Sequence, residues 1–255
     1  MTLSRFYYPN QIIVGHLIEL PIRPAHHAIN VLRLEKGNQI ILFNGKGGEF
    51  LALIKNINKN SIFVLIEEFR DIERESPLQI TLVQSICSNM KMDLIIRKAV
   101  ELGVNSIQPV VTKRCLVKLS GRRELKRILR WQQIIISACE QCGRNCVPQI
   151  LSPVAISNWL VRQKSLEKEL NNGSSGKLYF ILSPKATMRL HDFSKKILAT
   201  ELTLLVGPEG GFTSDEYTTA VNTGFSSLRL GDRILRTESA ALSAISALQA
   251  VWGDY

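Results

Sequence analysis

The apolar, β-prone run from Leu202 to Val206 ends abruptly in Gly207-Pro208-Glu209-Gly210-Gly211. Thr213, with Glu216 three residues on, then forms a capping-box pattern that opens a helix. A buried strand therefore delivers a tight glycine turn into a helix start. Glycines at such a turn let main-chain N–H and C=O groups approach a ligand closely. About twenty residues later the plan recurs. The run Ser227-Leu228-Arg229-Leu230 meets Gly231-Asp232-Arg233, and Thr237-Glu238-Ser239 opens an alanine-rich helix. Two neighbouring strand–turn–helix units with polar turns predict one small-molecule site at the carboxyl ends of parallel strands.

The rest of the chain supplies a frame for that site. From residue 78 onward strand and helix patterns alternate. Strands are expected at 78–85, 106–111, 177–183, 203–206 and 226–230, and helices at 91–102, 121–141 and 238–251. Such alternation argues for a parallel sheet wrapped by helices. Residues 1–73 differ. Three β-rich runs, 39–44, 49–56 and 61–67, are separated by glycine- and asparagine-rich turns, with one short helix within 24–34. That is the pattern of a small β-barrel. The charged stretch 70–77 reads as the linker, so two domains are expected, 1–73 and 74–255. Residues 171–176, Asn-Asn-Gly-Ser-Ser-Gly, read as a surface loop without chemistry.

Composition narrows the function. No apolar run reaches the roughly 18–20 residues of a membrane span, and no signal-peptide core opens the chain. No membrane association and a cytoplasmic address are expected. A net charge of +10 and a pI near 9.5 favour a polyanionic partner over idle surface charge. The five cysteines are an odd number without an export signal, so no disulfide framework is expected. Cys139, Cys142 and Cys146 share a helix face and raise the question of zinc or an iron–sulfur cluster. No second ligand pair accompanies them, and Gly143 and Pro148 end the helix, so no metal is expected.

The two glycine segments also carry a resemblance. Gly207 to Glu216, followed by Leu228 to Gln249, resembles the carboxyl-terminal signature of the RsmE family of SPOUT-class methyltransferases. The likeness continues upstream through Lys91-Met92-Asp93, Arg97 to Val104, Arg130-Trp131 and Glu140 to Arg144. Near the start His26-His27, Val31-Leu32-Arg33 and Phe43 to Glu49 match as well. It covers almost the whole chain in order, with Arg97 a departure where relatives carry Gln. The resemblance implies S-adenosylmethionine-dependent methylation of N3 of a uridine in 16S ribosomal RNA, either free or in the assembled small subunit. It further implies a PUA-like RNA-binding barrel, a trefoil-knotted α/β domain and a homodimer. The final helix, with Leu242, Ile245, Leu248 and Trp252, either pairs isologously with a second copy or packs on its own sheet. A SPOUT enzyme acting on ribose or transfer RNA, and a non-catalytic ribosome-assembly factor, are the alternatives.

Site residues follow. The cofactor is expected against Leu182, Leu205, Gly207, Pro208, Glu209, Gly210, Gly211, Leu230, Gly231, Ile234, Leu235 and Arg236. Uracil N3 carries a proton and is not nucleophilic when neutral, so methylation needs a base or a cation that stabilises the anionic ring. Arg236 and Arg233 flank the second turn and supply the cation. Glu209 or Glu238 takes the proton or orients an arginine, with Arg236, Glu209 and Glu238 the expected catalytic set. Phosphate contacts are expected from Lys113, Arg114, Lys118, Arg122, Arg123, Lys126 and Arg127, several of which share a helix face. Arg33 and the two histidines of the barrel domain extend the RNA surface.

Overall fold

A computed structural model describes residues 3–58, 61–115, 117, 121–169, 176–194 and 199–255. The chain forms two compact units, one of residues 1–75 with 136–147, the other of residues 76–135 with 148–255.

The first unit is a five-stranded sheet of β1 (Ser4–Tyr7), β2 (Leu17–Glu19), β3 (Gln39–Phe43), β4 (Glu49–Ile57) and β5 (Ile62–Arg70), in the order β1-β3-β4-β5-β2. The three β-rich runs of the sequence are β3, β4 and β5; β1 and β2 are too short for a periodicity to show. Helix α1 (Ile22–His26) runs on into a π-helical turn, His27–Val31. Phe6, Ile40, Leu42, Ala52, Ile54, Ile62, Val64 and Ile66 alternate inward to make the core.

Residues 71–75, expected as linker, are anchored rather than loose. Asn145 donates to the Ile72 carbonyl at 2.6 Å, and the Arg144 guanidinium pairs with Glu75. Arg5 and Arg74 converge on Glu49, at 2.5 and 3.0 Å. Glu140 accepts from the Tyr7 amide at 3.0 Å. The Glu140 to Arg144 element thus holds buried ion pairs, which are costly to break once desolvated. Cys139 is buried and Cys142 half-buried. Among the described residues the one group with metal-ligand spacing is Glu73, Glu75 and Cys146. Arg144 already claims Glu75, and Cys146 donates to Glu73 at 3.3 Å.

The second unit is a parallel sheet of β6 (Gln79–Ser85), β7 (Ser106–Val111), β8 (Gln149–Ile150), β9 (Val154–Ala155), β10 (Lys177–Leu182), β11 (Glu201–Val206) and β12 (Ser226–Leu228). The order is β12-β10-β11-β6-β7-β8, with β9 also on β7. The helices are α2 (Asn89–Glu101), α3 (Arg122–Cys142), α4 (Ile156–Glu169), α5 (His191–Ser194), α6 (Ser214–Asn222) and α7 (Thr237–Trp252). The alternation read from the sequence is present, with α4, α5 and the two-residue strands β8 and β9 added. Ile80, Leu82, Val83, Leu204, Leu205, Phe180 and Ile181 are buried, as expected of parallel strands covered on both faces. The loop expected at 171–176 lies, except for Gly176, outside the described residues.

Helix α7 does not offer the apolar face expected to pair with a second copy. Ile245 and Leu248 are fully buried within this one chain, and Trp252 stacks on Phe180. Each buried aliphatic is worth about 1.5–3 kcal/mol, which α7 gains by packing within its own chain, while Leu242 and Trp252 stay half-buried.

Burial alone would raise the Glu49 carboxyl; its bonds to Arg5 and Arg74 outweigh that and hold it below the ordinary value of 4.5. Its contribution is therefore present above that value and lost as pH falls through the depressed one. Wild-type stability, read as the urea midpoint, should fall on acidification below about 4.5. Glu49→Gln should be less stable at neutral pH and show a shallower acid decline.

Candidate active site

Sheet topology decides where a site can form. From β6 the chain proceeds outward through β7 and β8 on one side, and later lays down β10, then β11 between β10 and β6, then β12 at the far edge on the other. The strand order therefore reverses at the β6–β11 pair, where open parallel sheets bind ligands beyond the strand ends. The register pairs Val206 with Gln84, so the chain leaving β6 and the glycine turn leaving β11 emerge side by side.

The first turn, residues 207–213, is pinned. Thr213 caps α6 and its backbone N–H returns to Glu216, completing the capping box expected from the sequence. Glu216 is buried, and its other oxygen accepts from the Lys113 amide at 2.7 Å. The Arg114 guanidinium donates to the carbonyls of Gly210 and Phe212, at 2.9 and 3.3 Å. Gly211 has φ +67°, with open space where a side chain would stand.

The second turn is tied to the first. The Leu228 carbonyl accepts from Ser183, and the Arg229 amide donates to Met188, which fixes the turns after β10 and β12 together. Asp232 accepts from Arg189 and Arg229, at 3.1 and 3.3 Å. The chain then crosses to β11, where Thr237 Oγ1 donates to the Gly207 carbonyl at 2.6 Å. Gln84, wholly buried at the end of β6, donates to the same hydroxyl at 3.2 Å. Two strand ends meet at the threonine that opens α7. Gly231 has φ +107° and, like Gly211, empty space at the missing Cβ.

These features form a cradle suited to a flat, polar ligand. Among the described residues, the main chain of residues 230–235 makes no hydrogen bond within the protein. Its donors and acceptors are free for a ligand, while Ile234 is 84% exposed and Leu230 and Leu235 are half-buried beside it. Leu182 and Pro208 sit at the same strand ends. Leu205 differs from expectation. It is fully buried in the core, packed with Val83, Val110 and Ile181.

The expected catalytic groups gather at the same edge. Glu209 accepts from Lys91 Nζ at 3.1 Å, and Glu238 Oε2 lies 3.9 Å from that ammonium. Burial raises the Glu209 carboxyl, but its own amide, Lys91 and the Ser88 amide together hold it low. Arg236 stands exposed at the N-cap of α7, without a partner among the described residues. Cys87 lies beside the two carboxylates, and burial first, then Glu209, push its thiol up to about 12.

The sequence reading missed a role for Lys91, although the Lys91-Met92-Asp93 element was visible. Asp93 anchors Arg130, which donates to it through two nitrogens at 2.5 and 3.1 Å. Of the expected RNA contacts, Arg122, Arg123 and Lys126 are exposed on α3, and Arg33, in the first unit, is exposed with φ +52°. Arg127 is half-buried over the Trp131 ring at 5.8 Å, which makes it a packing cation. Arg114 is committed to the glycine turn, and Lys113 pairs with Asp215. Lys118 lies outside the described residues.

With the site drawn, comparison with known proteins assigns the class. An RNA methyltransferase domain family matches residues 74–249, and an RNA methyltransferase PUA domain family matches residues 25–67. The ribosomal RNA small subunit methyltransferase E of Buchnera aphidicola is 35% identical over 252 residues, covering 99% of this chain and 98% of that one. That of Bacillus subtilis is 31% identical over 88% of this chain and 86% of its own. A methyltransferase of Legionella pneumophila, solved with its cofactor SAM, superposes with a TM-score of 0.91 at 38% identity over the whole of both chains. The ribosomal RNA small subunit methyltransferase E of Neisseria gonorrhoeae, bound to S-adenosyl methionine, gives 0.88 at 40%, again over both whole chains. This chain belongs to the ribosomal RNA small subunit methyltransferase E family, with an RNA methyltransferase domain behind an amino-terminal RNA methyltransferase PUA domain.

Replacing Arg114 by Ala should free the Gly210 and Phe212 carbonyls and loosen the first turn by about 0.5–1.5 kcal/mol. Amide hydrogen exchange should quicken at residues 209–213 and stay unchanged in α7.

Proposed function

We propose that this protein methylates N3 of a uridine in 16S ribosomal RNA, with S-adenosylmethionine as donor and the small ribosomal subunit as substrate. The observation that carries the reading is the Thr237–Gly207 hydrogen bond, 2.6 Å, which joins two glycine turns beside unpaired main chain. That cradle fits the cofactor without demanding a metal ligand set: open space at Gly211 and Gly231, free N–H and C=O groups, and an exposed apolar Ile234. Gly207, Pro208, Gly210, Gly211, Leu230, Gly231, Leu235 and the main chain of Arg236 hold the cofactor, which supplies an electrophilic methyl group on a sulfonium. The protein's task is to orient that methyl in line with the base and to stabilise the charge that develops on the ring.

Arg236 supplies the cation. As N3 loses its proton, negative charge spreads to O2 and O4, and a guanidinium there makes charge-assisted hydrogen bonds. The carboxylates of Glu209 and Glu238 supply the proton acceptor and orient the cations. Residues 1–73 act as an RNA-binding module, and Arg122, Arg123 and Lys126 add a phosphate-facing strip on α3. The knot implied by the resemblance is part of this reading, supported by the return of the chain from β12, at the sheet edge, to α7 beside β11. A homodimer is also proposed. Leu125 and Leu129 of α3, 63% and 67% exposed, with Met90 of α2 at 85%, are better candidates for its surface than α7. No helix among the described residues is long and apolar enough to cross a membrane, in keeping with action on cytoplasmic ribosomes.

Mass spectrometry of 16S nucleosides from cells lacking the gene should show loss of one 3-methyluridine, restored by the wild-type chain. An unchanged nucleoside profile overturns the assignment. In single-turnover methylation of small subunits, Arg236→Ala should lower the rate about 10²–10³-fold while changing calorimetric S-adenosylmethionine affinity far less. Its rate should recover partly as pH rises, because the base then ionises without help. Charge reversal of Arg123 and Lys126 together should weaken subunit binding and flatten its dependence on salt, since fewer counterions are released. Cofactor affinity should not move.

A further inference from the structure

Lys91 has no part in the residue roles above, yet it sits between both candidate carboxylates. The two are not equivalent. Glu209 is surrounded by donors: Lys91 Nζ at 3.1 Å, its own amide and that of Ser88. Most of its acceptor sites are taken, which suits an anchor. Glu238 Oε2 is buried without a hydrogen-bond partner among the described residues, and the lysine lies 3.9 Å away, beyond hydrogen-bonding distance. A buried carboxylate oxygen left unpaired costs free energy that a ligand N–H would relieve. The ammonium has three donors, of which Glu209 uses one. Arg236 caps the same helix two residues before Glu238. A donor and a vacant acceptor therefore border one another, and Arg236 opens the helix that carries the acceptor.

Resting on the methyltransferase reading above, we propose that Lys91, Glu238 and Arg236 read the imide edge of uracil, and that Glu238, held in place by Lys91, removes the N3 proton. Uracil presents acceptor, donor, acceptor along O4, N3–H and O2, the complement of ammonium, carboxylate and guanidinium. Cytosine presents an amino group and a bare N3 lone pair, which would face a cation and an anion. Unpaired polar groups of this kind are what give strong rejection of the wrong base. In the reaction the N3–H bond breaks and its proton passes to Glu238 Oε2. The N3 electron pair forms the new N–C bond to the methyl carbon, and the C–S bonding pair returns to sulfur, leaving a neutral thioether. Lys91 and Arg236 balance the ring charge throughout. The charged and titratable groups facing Glu238 are Lys91 from α2, Glu209 from the turn after β11 and Cys87 from the end of β6.

The test uses purified unmethylated small subunits, saturating S-adenosylmethionine and single turnover, with Glu238→Gln, Lys91→Met and Lys91→Arg. Glu238→Gln should lose about 10²–10⁴-fold in rate near neutrality and regain part of it as pH rises. Lys91→Met should lose about 10²–10³-fold, and Lys91→Arg should restore part of that. Calorimetric affinity for S-adenosylmethionine and thermal stability should stay within twofold and a few degrees for all three. A second readout needs no turnover: binding, with S-adenosylhomocysteine present, to subunits carrying uridine or cytidine at the target. The wild type should prefer uridine, and Glu238→Gln should lose that preference. Wild-type rate and pH profile in Glu238→Gln or Lys91→Met, or an undiminished preference for uridine, overturns the proposal. A wild-type protein that methylates no small-subunit uridine overturns the activity reading itself, and this inference with it.

Discussion

Thr237 donates its hydroxyl proton to the Gly207 carbonyl and accepts from Gln84, and the site depends on that arrangement. β12 lies at the edge of the sheet, two strands from β6, so its glycine turn would lie apart from the first without a link across β10 and β11. The threonine supplies it from inside the fold, where the hydroxyl is sheltered and competition from water is small. Because Gln84 is fixed in β6, the hydroxyl is oriented by the sheet itself, and both turns inherit the sheet's rigidity.

Charge is used in two different ways along the chain. In the first unit Arg5, Arg74 and Arg144 are spent on Glu49 and Glu75, Arg5 and Arg144 largely out of water and Arg74 partly exposed, where they hold the chain around residues 71–75 and 144–145. In the second unit the cations around the turns divide by task. Arg114 and Arg189 secure backbone and turn, Arg130 fixes α2 through Asp93, and Arg236 remains unengaged among the described residues. The excess of basic residues over acidic ones is thus only partly an RNA footprint, and counting basic residues overstates the surface available to phosphate.

Much of the fold was legible in the residues. Apolar, β-prone runs marked β6, β7, β10 and β11, and the Thr213–Glu216 pair marked the start of α6 because both halves of a capping box lie three residues apart. What was not legible had little local signal: β8 and β9 are two-residue strands that exist only because β7 is there to pair with. Arg127 and Arg114 were read as RNA contacts from charge alone, and Leu205 as a ligand contact from its place beside the turn. Charge does not say whether a guanidinium meets a tryptophan, a carbonyl or solvent, and position does not say which face of a strand a leucine takes.

The sequence by itself determined that two glycine turns follow two strands and open two helices, because those signals are local: glycine tolerance of positive φ, a capping box, and apolar periodicity. Through the resemblance it also pointed to the family. It could not determine that α7 packs within its own chain, nor that Glu209 gathers three donors while Glu238 keeps a vacant oxygen. Those outcomes depend on which strands become neighbours. Parallel pairing brings Gln84 and Val206 side by side across more than a hundred residues of chain, and only then are Lys91, Glu209 and Glu238 close enough for distance to distinguish them.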